Sequence, residues 1–386
     1  MKVLCLGGSG GMGRFATKAI VDFKELEAIT VADLNKDAAE EFANSFDAKV
    51  QGIGLDVTDN KKLAEALKEH DVVLNTTGPF FMFGVPVLKA AIENNCHYLD
   101  ICDDWEPTEE MLKLDSQAKD AKITAIIGLG ASPGITNLMG LVAMEELDSV
   151  DTVITGWDLS SVNPAEESSQ IGTNAAMLHG IQQMTGAVKI FEDGQLSMVQ
   201  SLKKLKIKYP GKGIYPANIF GHPEAISFPH HFPEIKNAMN VAHGSKALDI
   251  YIIKFFLWLT EKNIISHDKA ANFFHWLETK SSRPSFRDER TGLPAIYGLA
   301  YGMKNGNIAS VGVTFGKNDL AKETSMGEAT GHPLAVGLKL FLQGKIDKSG
   351  VFAPEGGAIN AEDFFSAYKE LGELNEGLDI SRSWEV

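Results

Sequence analysis

The chain has 386 residues, more than the roughly 100–200 of a usual single domain, so we expect two domains. Its 51 acidic side chains outnumber 36 lysines and arginines, and the net charge of −15 disfavours nucleic acid and anionic membranes as partners. Three cysteines without a disulfide pattern favour a cytoplasmic location, and the most apolar stretch, 247–259, is shorter than the ~20 residues of a membrane span.

The first 130 residues alternate between short β-rich runs and helical patterns, which is typical of a parallel sheet covered by helices. Six strands are predicted, at 3–6, 28–32, 50–55, 71–75, 98–101 and 123–127. Apolar residues spaced three and four apart predict helices between them, at 12–20, 36–46, 58–67, 86–92 and 111–121. We therefore predict an α/β fold with a doubly wound, Rossmann-type parallel sheet.

The pattern changes after residue 128, and the second half shows no internal repeat and no low-complexity linker. Its predicted elements are strands at 150–157 and 188–199, an irregular segment or sheet edge at 209–233, a helix over 247–280, a hairpin of 293–303 and 308–315, and a helix through Leu334 and Leu338. The hairpin prediction depends on Asn305-Gly306 between two apolar runs. We expect this second domain to be interleaved with the first.

A glycine-rich loop follows the first predicted strand and opens the first predicted helix. It contains G-x-G-x-x-G, in which Gly8 permits a tight turn, Gly10 lets the backbone approach a pyrophosphate, and Gly13 allows helix and strand to pack closely. The pyrophosphate would lie at the positive end of the helix. The predicted cofactor loop is Gly8, Ser9, Gly10, Gly11, Met12 and Gly13. The alternative is a purely structural glycine turn.

Asp33 ends the second predicted strand, twenty residues after Gly13. A carboxylate at this position accepts hydrogen bonds from the adenosine ribose hydroxyls and repels a 2′-phosphate, so we predict NAD as the cofactor. No arginine stands between residues 28 and 46, although Lys36 could tolerate a phosphate. The alternative is a solvated loop carboxylate.

Two further strand ends should meet the cofactor, because ligands of such sheets bind outside the carboxyl ends of the strands. Asp56 and Val57 close the third strand, on the adenine side. The residues that close the fourth strand should meet the nicotinamide half: Thr76, Thr77, Gly78 and Pro79. For Gly78-Pro79 the alternative is a turn without a binding role.

Two kinds of dehydrogenase are disfavoured by the residues that their chemistry needs. None of the seven tyrosines has a lysine four residues on, which a short-chain dehydrogenase would use to protonate a carbonyl oxygen. No cysteines and histidines have the spacing of zinc ligands, so we predict no metal.

Several segments resemble the saccharopine dehydrogenase-like family: the glycine loop, 75–87, 97–100, 128–137 and 350–359. The resemblance is dense over about 1–145 and 325–372. It implies a Rossmann domain at 1–135, an inserted α/β substrate and dimerisation domain at 136–328, and a C-terminal segment at 329–386 that packs back on the Rossmann domain through a helix. It also implies a homodimer.

The resemblance further implies an oxidoreductase that acts on an amino-acid or opine-type C–N bond by hydride transfer through an imine. Asp33 fits the NAD-using lysine 6-dehydrogenase branch. One alternative is an NADP-dependent saccharopine or carboxynorspermidine dehydrogenase. An alternative of another class is a non-catalytic NAD-binding sensor.

This chemistry needs a group that handles the amine proton and an anchor for the substrate carboxylate. After the fifth strand, Asp100, Asp103 and Asp104 are candidates, with a solvated acidic loop as the alternative. In the second domain, His222 and His243 are candidate acid–base groups, because histidine titrates near neutral pH. Candidates for the carboxylate anchor, with a solvated polar face as the alternative, are Arg283, Arg287 and Arg290.

Overall fold

The computed structural model describes residues 1–159, 184–244, 247–262, 264–266, 269–270, 272, 292–320 and 324–384. The chain divides into two compact units. The first comprises Met1–Leu138 and Thr324–Asn375, and the second comprises Met139–Glu323 and Glu376–Val386.

Strands and helices alternate through the first third of the chain, as the sequence pattern predicts. In the described ranges the strands are β1 Lys2–Leu6, β2 Ala28–Asp33, β3 Val50–Gly54, β4 Val72–Asn75, β5 His97–Asp100, β6 Thr124–Ile126, β7 Ser149–Asp158, β8 Ala187–Glu192, β9 Gln195–Gln200, β10 Lys204–Tyr209, β11 Gly213–Phe220, β12 Asn237–His243, β13 Ile296–Lys304, β14 Asn307–Phe315, β15 Gly350–Phe352 and β16 Leu378–Arg382. The helices there are α1 Gly13–Ile20, α2 Lys36–Ala43, α3 Asn60–Lys68, α4 Phe80–Glu93, α5 Trp105–Leu112, α6 Asp115–Asp120, α7 Ile135–Glu145, α8 Glu224–His231, α9 Ala247–Glu261, α10 Lys317–Leu320, α11 Met326–Leu342 and α12 Ala361–Glu370. Of these helices, none is long and apolar enough to cross a membrane.

The first unit is built on a seven-stranded parallel sheet of order β15-β6-β5-β4-β1-β2-β3. Strand order reverses at β1, which pairs with β2 on one side and with β4 on the other. The two central strands are almost wholly buried, as expected of a sheet covered on both faces. The predicted Rossmann-type α/β fold is confirmed, with β15 as a seventh strand.

The C-terminal part of the first unit returns to the start of the chain through α11. A Cβ at Gly327 would overlap the ring of Phe15, and one at Gly331 would lie 2.7 Å from the nitrogen of Ala16. The two glycines therefore let α11 lie close against α1, the helix that follows the glycine loop. This is the returning helix that the resemblance implies.

The second unit is built on a nine-stranded mixed sheet that follows the path β10-β11-β12-β7-β13-β14-β16, with β8 paired to β12 and β9 to β8. Strand β12 runs parallel to β7, and the other pairs are antiparallel. Tyr297 covers Gly156 of the neighbouring β7, and Tyr209 covers Gly312 of β14. The two rings meet edge to face, 5.5 Å between centroids, in the unit's hydrophobic core.

The expectation that all of 329–386 packs on the first domain is wrong for its last residues. Strand β16 pairs with β14 of the second unit, with Val313 opposite Ile380. Arg382 also holds the carboxylate of Glu146 with two hydrogen bonds, of 2.9 and 2.7 Å. The last strand therefore belongs to the second unit, where it hydrogen-bonds to the edge of β14.

The hairpin predicted around Asn305-Gly306 is confirmed, and both turn residues have positive φ, 51° and 76°. The single strand expected at 188–199 is instead the hairpin of β8 and β9, which turns at Asp193-Gly194. The segment 209–233, expected to be irregular or a sheet edge, contains all of α8 and all of β11, a strand that pairs with both β10 and β12. The helix expected over 247–280 is observed as α9, which ends at Glu261, and residues 264–266 are not helical. Residues 263, 267–268, 271 and 273–280 lie outside the described ranges.

Candidate functional site

The glycine loop joins β1 to α1 at the crevice where strand order reverses. Gly7 makes the turn, with φ of 69° and its N–H donating 2.8 Å to the carbonyl of Ala32. Gly8, to which the sequence assigns the tight turn, is instead held close to Cys5: an added Cβ would lie 2.8 Å from that residue's Cβ. An added Cβ at Gly13 would overlap the carbonyl of Gly7, whereas one at Gly11 would meet nothing within 4 Å. The loop is therefore tightly packed at Gly8 and Gly13 and leaves open space at Gly11.

The start of α1 offers backbone donors to an anion. In the part of the chain that the structure describes, no side chain caps this helix at Met12, and its first turn carries no acidic residue. Backbone N–H groups at an uncapped helix start can bind a phosphate, and the helix dipole favours negative charge there.

Asp33 lies at the end of β2, beside the glycine loop. Its carboxylate accepts a hydrogen bond of 2.7 Å from the hydroxyl of Ser9 and one of 3.2 Å from the backbone of Asn35. Asn35 in turn caps α2. The loop and the start of α2 thus hold this carboxylate at the position where a Rossmann domain meets the ribose.

The residues after β4 play two different parts. Thr76 supports the loop, because its hydroxyl donates 2.8 Å to the carbonyl of Leu6. The hydroxyl of Thr77 is buried and has no hydrogen-bond partner among the described residues. Gly78, the next residue, has open space where a side chain would stand. Thr77 therefore offers a polar atom that a ligand in the crevice could satisfy.

Asp56 and Val57 follow β3, at the far side of the carboxyl edge of the sheet. Asp56 is exposed and accepts hydrogen bonds of 2.9 and 2.7 Å from the backbone and hydroxyl of Thr58, which lower its pKa. Their contact with adenine stays a prediction.

Asp100 is fully buried and ties three strand ends together. Its carboxylate accepts hydrogen bonds from the Tyr98 hydroxyl at 2.7 Å, from the Cys102 N–H at 3.0 Å and from the Gly128 N–H at 2.6 Å. Asn75 donates to the same tyrosine hydroxyl at 3.0 Å. Burial raises the pKa of Asp100 to about 6 despite these donors. A catalytic role for Asp100 stays a prediction, and its burial argues for a structural role.

The two neighbouring carboxylates differ in exposure. Asp104 is buried and accepts a hydrogen bond of 3.2 Å from the N–H of Phe81, at the start of α4. Asp103 is only partly buried. Of the three carboxylates predicted after the fifth strand, Asp103 is the one that a substrate can reach most readily.

His222 lies in a buried polar cluster of the second unit. Its ring stacks on Trp157 with 5.8 Å between centroids, and its Nδ1 lies 3.7 Å from a carboxylate oxygen of Glu224. The other oxygen of Glu224 accepts hydrogen bonds from Asn240 at 3.0 Å and from Thr155 at 3.3 Å. The imidazole is thus braced by a ring on its face and a carboxylate at its edge.

His243 belongs to the opposite face of the same sheet. It stands opposite Asp158 in the pairing of β12 with β7, whereas Asn240 stands opposite Thr155, and side chains alternate between faces along a strand. Burial lowers the pKa of His243, and the charge of Asp158 partly opposes this shift. The structure therefore does not bring the two predicted histidines together.

The remaining expectations concern metals and the substrate carboxylate. In the described ranges, no group of three or more His, Cys, Asp or Glu side chains could hold a metal ion. Arg283, Arg287 and Arg290, the predicted carboxylate anchor, lie outside the described residues.

Comparison with known proteins decides the family. Residues 3–126 match the saccharopine dehydrogenase NADP binding domain. The first domain therefore belongs to the saccharopine dehydrogenase NADP binding domains, and the chain is an oxidoreductase. The family resemblance is thereby confirmed, and a nicotinamide dinucleotide is its cofactor.

Two relatives are similar to this oxidoreductase over nearly its whole length. Carboxynorspermidine synthase of Vibrio alginolyticus is 22% identical, with 95% of this chain and 94% of the relative covered. Carboxyaminopropylagmatine dehydrogenase of Synechocystis is 22% identical, with 96% of each covered. The apo structure of saccharopine dehydrogenase (L-Glu forming) from Saccharomyces cerevisiae, 19% identical, covers 99% of both chains with a TM-score of 0.59 and shows the same fold.

The residues of the first unit fit the dinucleotide. The open space above Gly11, the uncapped start of α1 and the unsatisfied hydroxyl of Thr77 line one crevice of the sheet. Bound there, the pyrophosphate would meet the loop and the ribose would meet Asp33.

Sequence reasoning missed three buried polar side chains. Glu224 stands two residues after His222, and this spacing was the available signal. Asn137 and Glu355 hydrogen-bond to each other although 218 residues separate them. Both stand in segments that resemble the family, but nothing local in the sequence pairs them.

Proposed function

We propose that this oxidoreductase forms or breaks a C–N bond of an amino-acid-derived amine with NAD(H), in the manner of a lysine 6-dehydrogenase or opine-type enzyme. The observation that carries the proposal is the pairing of a saccharopine dehydrogenase NADP binding domain with near full-length similarity to two enzymes named for carboxyalkylated amines. The built dinucleotide crevice supports turnover of a nicotinamide cofactor.

The reaction sets a requirement that the chain's own residues must meet. When bound, the nicotinamide exchanges a hydride with the carbon attached to the substrate nitrogen. In the oxidative direction the amine also loses a proton and becomes an imine, which water can hydrolyse to a carbonyl compound and an amine. A side chain that accepts the nitrogen's proton and returns it in the reductive direction is therefore needed.

Of the predicted acid–base residues, we assign this proton to His222. Stacking on Trp157 and the nearby carboxylate of Glu224 both orient the ring. His222→Gln should lower kcat by about 10²- to 10⁴-fold. In the oxidative direction, in which the imidazole accepts the proton, the variant should also lose the acidic limb of the pH profile of kcat/KM. His230→Gln, at an exposed end of α8, is the matched control. An unchanged pH profile in His222→Gln would exclude this assignment.

The preference for NAD over NADP rests on Asp33. Its carboxylate, held by Ser9 and Asn35, would accept the ribose hydroxyls and repel a 2′-phosphate. The description of the matching family and the name of a Pyricularia oryzae relative, saccharopine dehydrogenase [NADP(+), L-glutamate-forming], favour the NADP-linked alternative. That relative is 28% identical over 53% of this chain.

A screen of substrates with both cofactors tests the reaction. We expect NAD reduction with a member of a panel of lysine, ornithine, saccharopine and carboxyalkylated polyamines, or NADH oxidation with the corresponding carbonyl compound and amine. Turnover only with NADPH would favour the NADP-linked alternative. Tight NADH binding without turnover of any compound would favour the sensor.

A further inference from the structure

The segment that follows β6 lies on the nicotinamide side of the parallel sheet. Strand β6 stands two places from β4, whose carboxyl end forms the crevice with β1. The segment, residues 127–134, runs from the end of β6 to the start of α7. Ligands of such sheets bind outside the carboxyl ends of the strands, which is the edge from which this segment starts. We call it the β6 loop.

One side of the β6 loop is fixed by Asp100. The N–H of Gly128 donates 2.6 Å to the side chain of Asp100, and the N–H of Leu129 donates 2.7 Å to its carbonyl. The N–H of Ile127 donates 2.9 Å to Phe352 of the neighbouring β15. The beginning of the loop therefore has a well-defined position relative to both adjacent strands.

The end of the β6 loop is a close turn that depends on Asn137. Gly134 has φ of 122°, and an added Cβ would overlap the backbone of Gly130. The N–H of Gly134 donates 2.8 Å to the side-chain oxygen of Asn137, and the N–H of Gly130 donates 2.9 Å to the carbonyl of Pro133. A side-chain amide can accept at this N–H only while its oxygen, and not its NH2 group, faces the turn.

Glu355 fixes which way that amide faces. Its carboxylate accepts 2.8 Å from the NH2 group of Asn137, and both side chains are buried, at 1% and 0% exposure. Because the Glu355 oxygen accepts from the NH2 group of the amide, the oxygen of the amide is left facing Gly134. If the Asn137 amide were flipped, its NH2 group would face the N–H of Gly134. Two buried donors without an acceptor would then destabilise the fold.

We propose that Glu355 is a positioning residue for the reaction: through Asn137 it sets the shape of the β6 loop at the nicotinamide end of the crevice. This inference rests on the proposed function, because the loop's shape matters to turnover only if chemistry occurs there. The glycine loop and Asp33 belong to other strand ends, so the role of Glu355 concerns catalysis and not cofactor affinity.

The test compares Glu355→Ala, Glu355→Gln and the exposed control Glu362→Ala. The glutamine keeps an oxygen acceptor for the NH2 group of Asn137, whereas the alanine removes it. We expect Glu355→Ala to lower kcat at least tenfold with the Kd for NADH changed less than threefold. Glu355→Gln should restore kcat to within about threefold of wild type, and Glu362→Ala should behave as wild type.

Amide hydrogen exchange at 128–134 separates this inference from the proposed function, because it needs no turnover. Exchange at Gly134 should be at least tenfold faster in Glu355→Ala than in wild type or Glu355→Gln. If no C–N substrate is turned over, the proposed function fails. The exchange rate at Gly134 still shows whether the contact between Glu355 and Asn137 holds the turn. Wild-type exchange at Gly134 in Glu355→Ala, or an unchanged kcat in a folded Glu355→Ala, would overturn the inference.

Discussion

Replacing Asp33 by alanine removes the carboxylate that stands beside the glycine loop at the end of β2. In the free protein this carboxylate accepts from Ser9 at 2.7 Å and from Asn35 at 3.2 Å, so its position is set before a dinucleotide arrives. Hydrogen bonds to a charged acceptor each contribute about 1.5–3 kcal/mol. Because the alanine variant also frees the Ser9 hydroxyl to bind the ribose, we expect a net loss of about 1–3 kcal/mol for NADH.

That loss corresponds to an increase in Kd of about 5- to 150-fold. Affinity for NADPH should rise or stay constant in the same variant, because a negative charge next to the 2′-phosphate is removed. Titration of NADH and NADPH fluorescence at one fixed ionic strength measures both constants, since salt screens charge repulsion. Asp37→Ala, in the exposed first turn of α2, is the control for loss of one charge. A change of less than twofold in the Kd of Asp33→Ala for NADH would refute the ribose contact of Asp33, and so would tighter binding of NADPH than of NADH by the wild type.

Three other predictions follow from buried polar groups. Burial raises the pKa of Asp100 from 3.8 to about 6, so its folded form holds a proton more tightly, and stability should fall by up to about 3 kcal/mol between pH 4 and pH 6. Urea unfolding across this range should show a smaller fall in Asp100→Asn, and an equal fall would contradict the argument. Tyr297→Phe should leave stability unchanged or raise it by up to about 3 kcal/mol, because its hydroxyl has no partner among the described residues. Tyr301→Phe should lower the free energy of unfolding by about 1 kcal/mol in the same assay, because the Tyr301 hydroxyl donates a hydrogen bond of 2.9 Å to a carbonyl. A larger loss in Tyr297→Phe than in Tyr301→Phe would contradict both predictions. Thr77→Val should weaken NADH binding several-fold in a fluorescence titration and leave the melting temperature unchanged. Thr76→Val should lower the melting temperature, because the Thr76 hydroxyl donates to the carbonyl of Leu6. Wild-type NADH affinity in Thr77→Val would show that the Thr77 hydroxyl does not contact the cofactor.

The parts of the fold that sequence could predict are those with a local, periodic signal. The strand, glycine loop and helix at the N-terminus carry such a signal, and Asp33 stands at the strand end where it was expected. The turn at Asp193-Gly194 also had a local signal, which an interpretation of 188–199 as one strand obscured. Strand β16 had no such signal, because its place depends on the free edge of β14.

The candidate site was predictable where it depends on strand ends and not where it depends on distant contacts. Asp100 is the last residue of β5 and not a residue that follows the strand, and its carboxylate accepts a hydrogen bond from Gly128, 28 residues on. The pairing of Asn137 with Glu355 spans 218 residues and could come only from the three-dimensional structure. The homodimer and the cytoplasmic location stay predictions.

Transfer of deuterium from NADH that carries deuterium at both positions of the reactive ring carbon tests the central claim most directly, because either face then supplies the label. The oxidoreductase would be incubated with the labelled cofactor and the carbonyl compound and amine that the substrate screen identifies. We expect one deuterium in the product, on the carbon attached to nitrogen, as located by mass spectrometry. A product without deuterium, or deuterium on a carbon that bears no nitrogen, would contradict it.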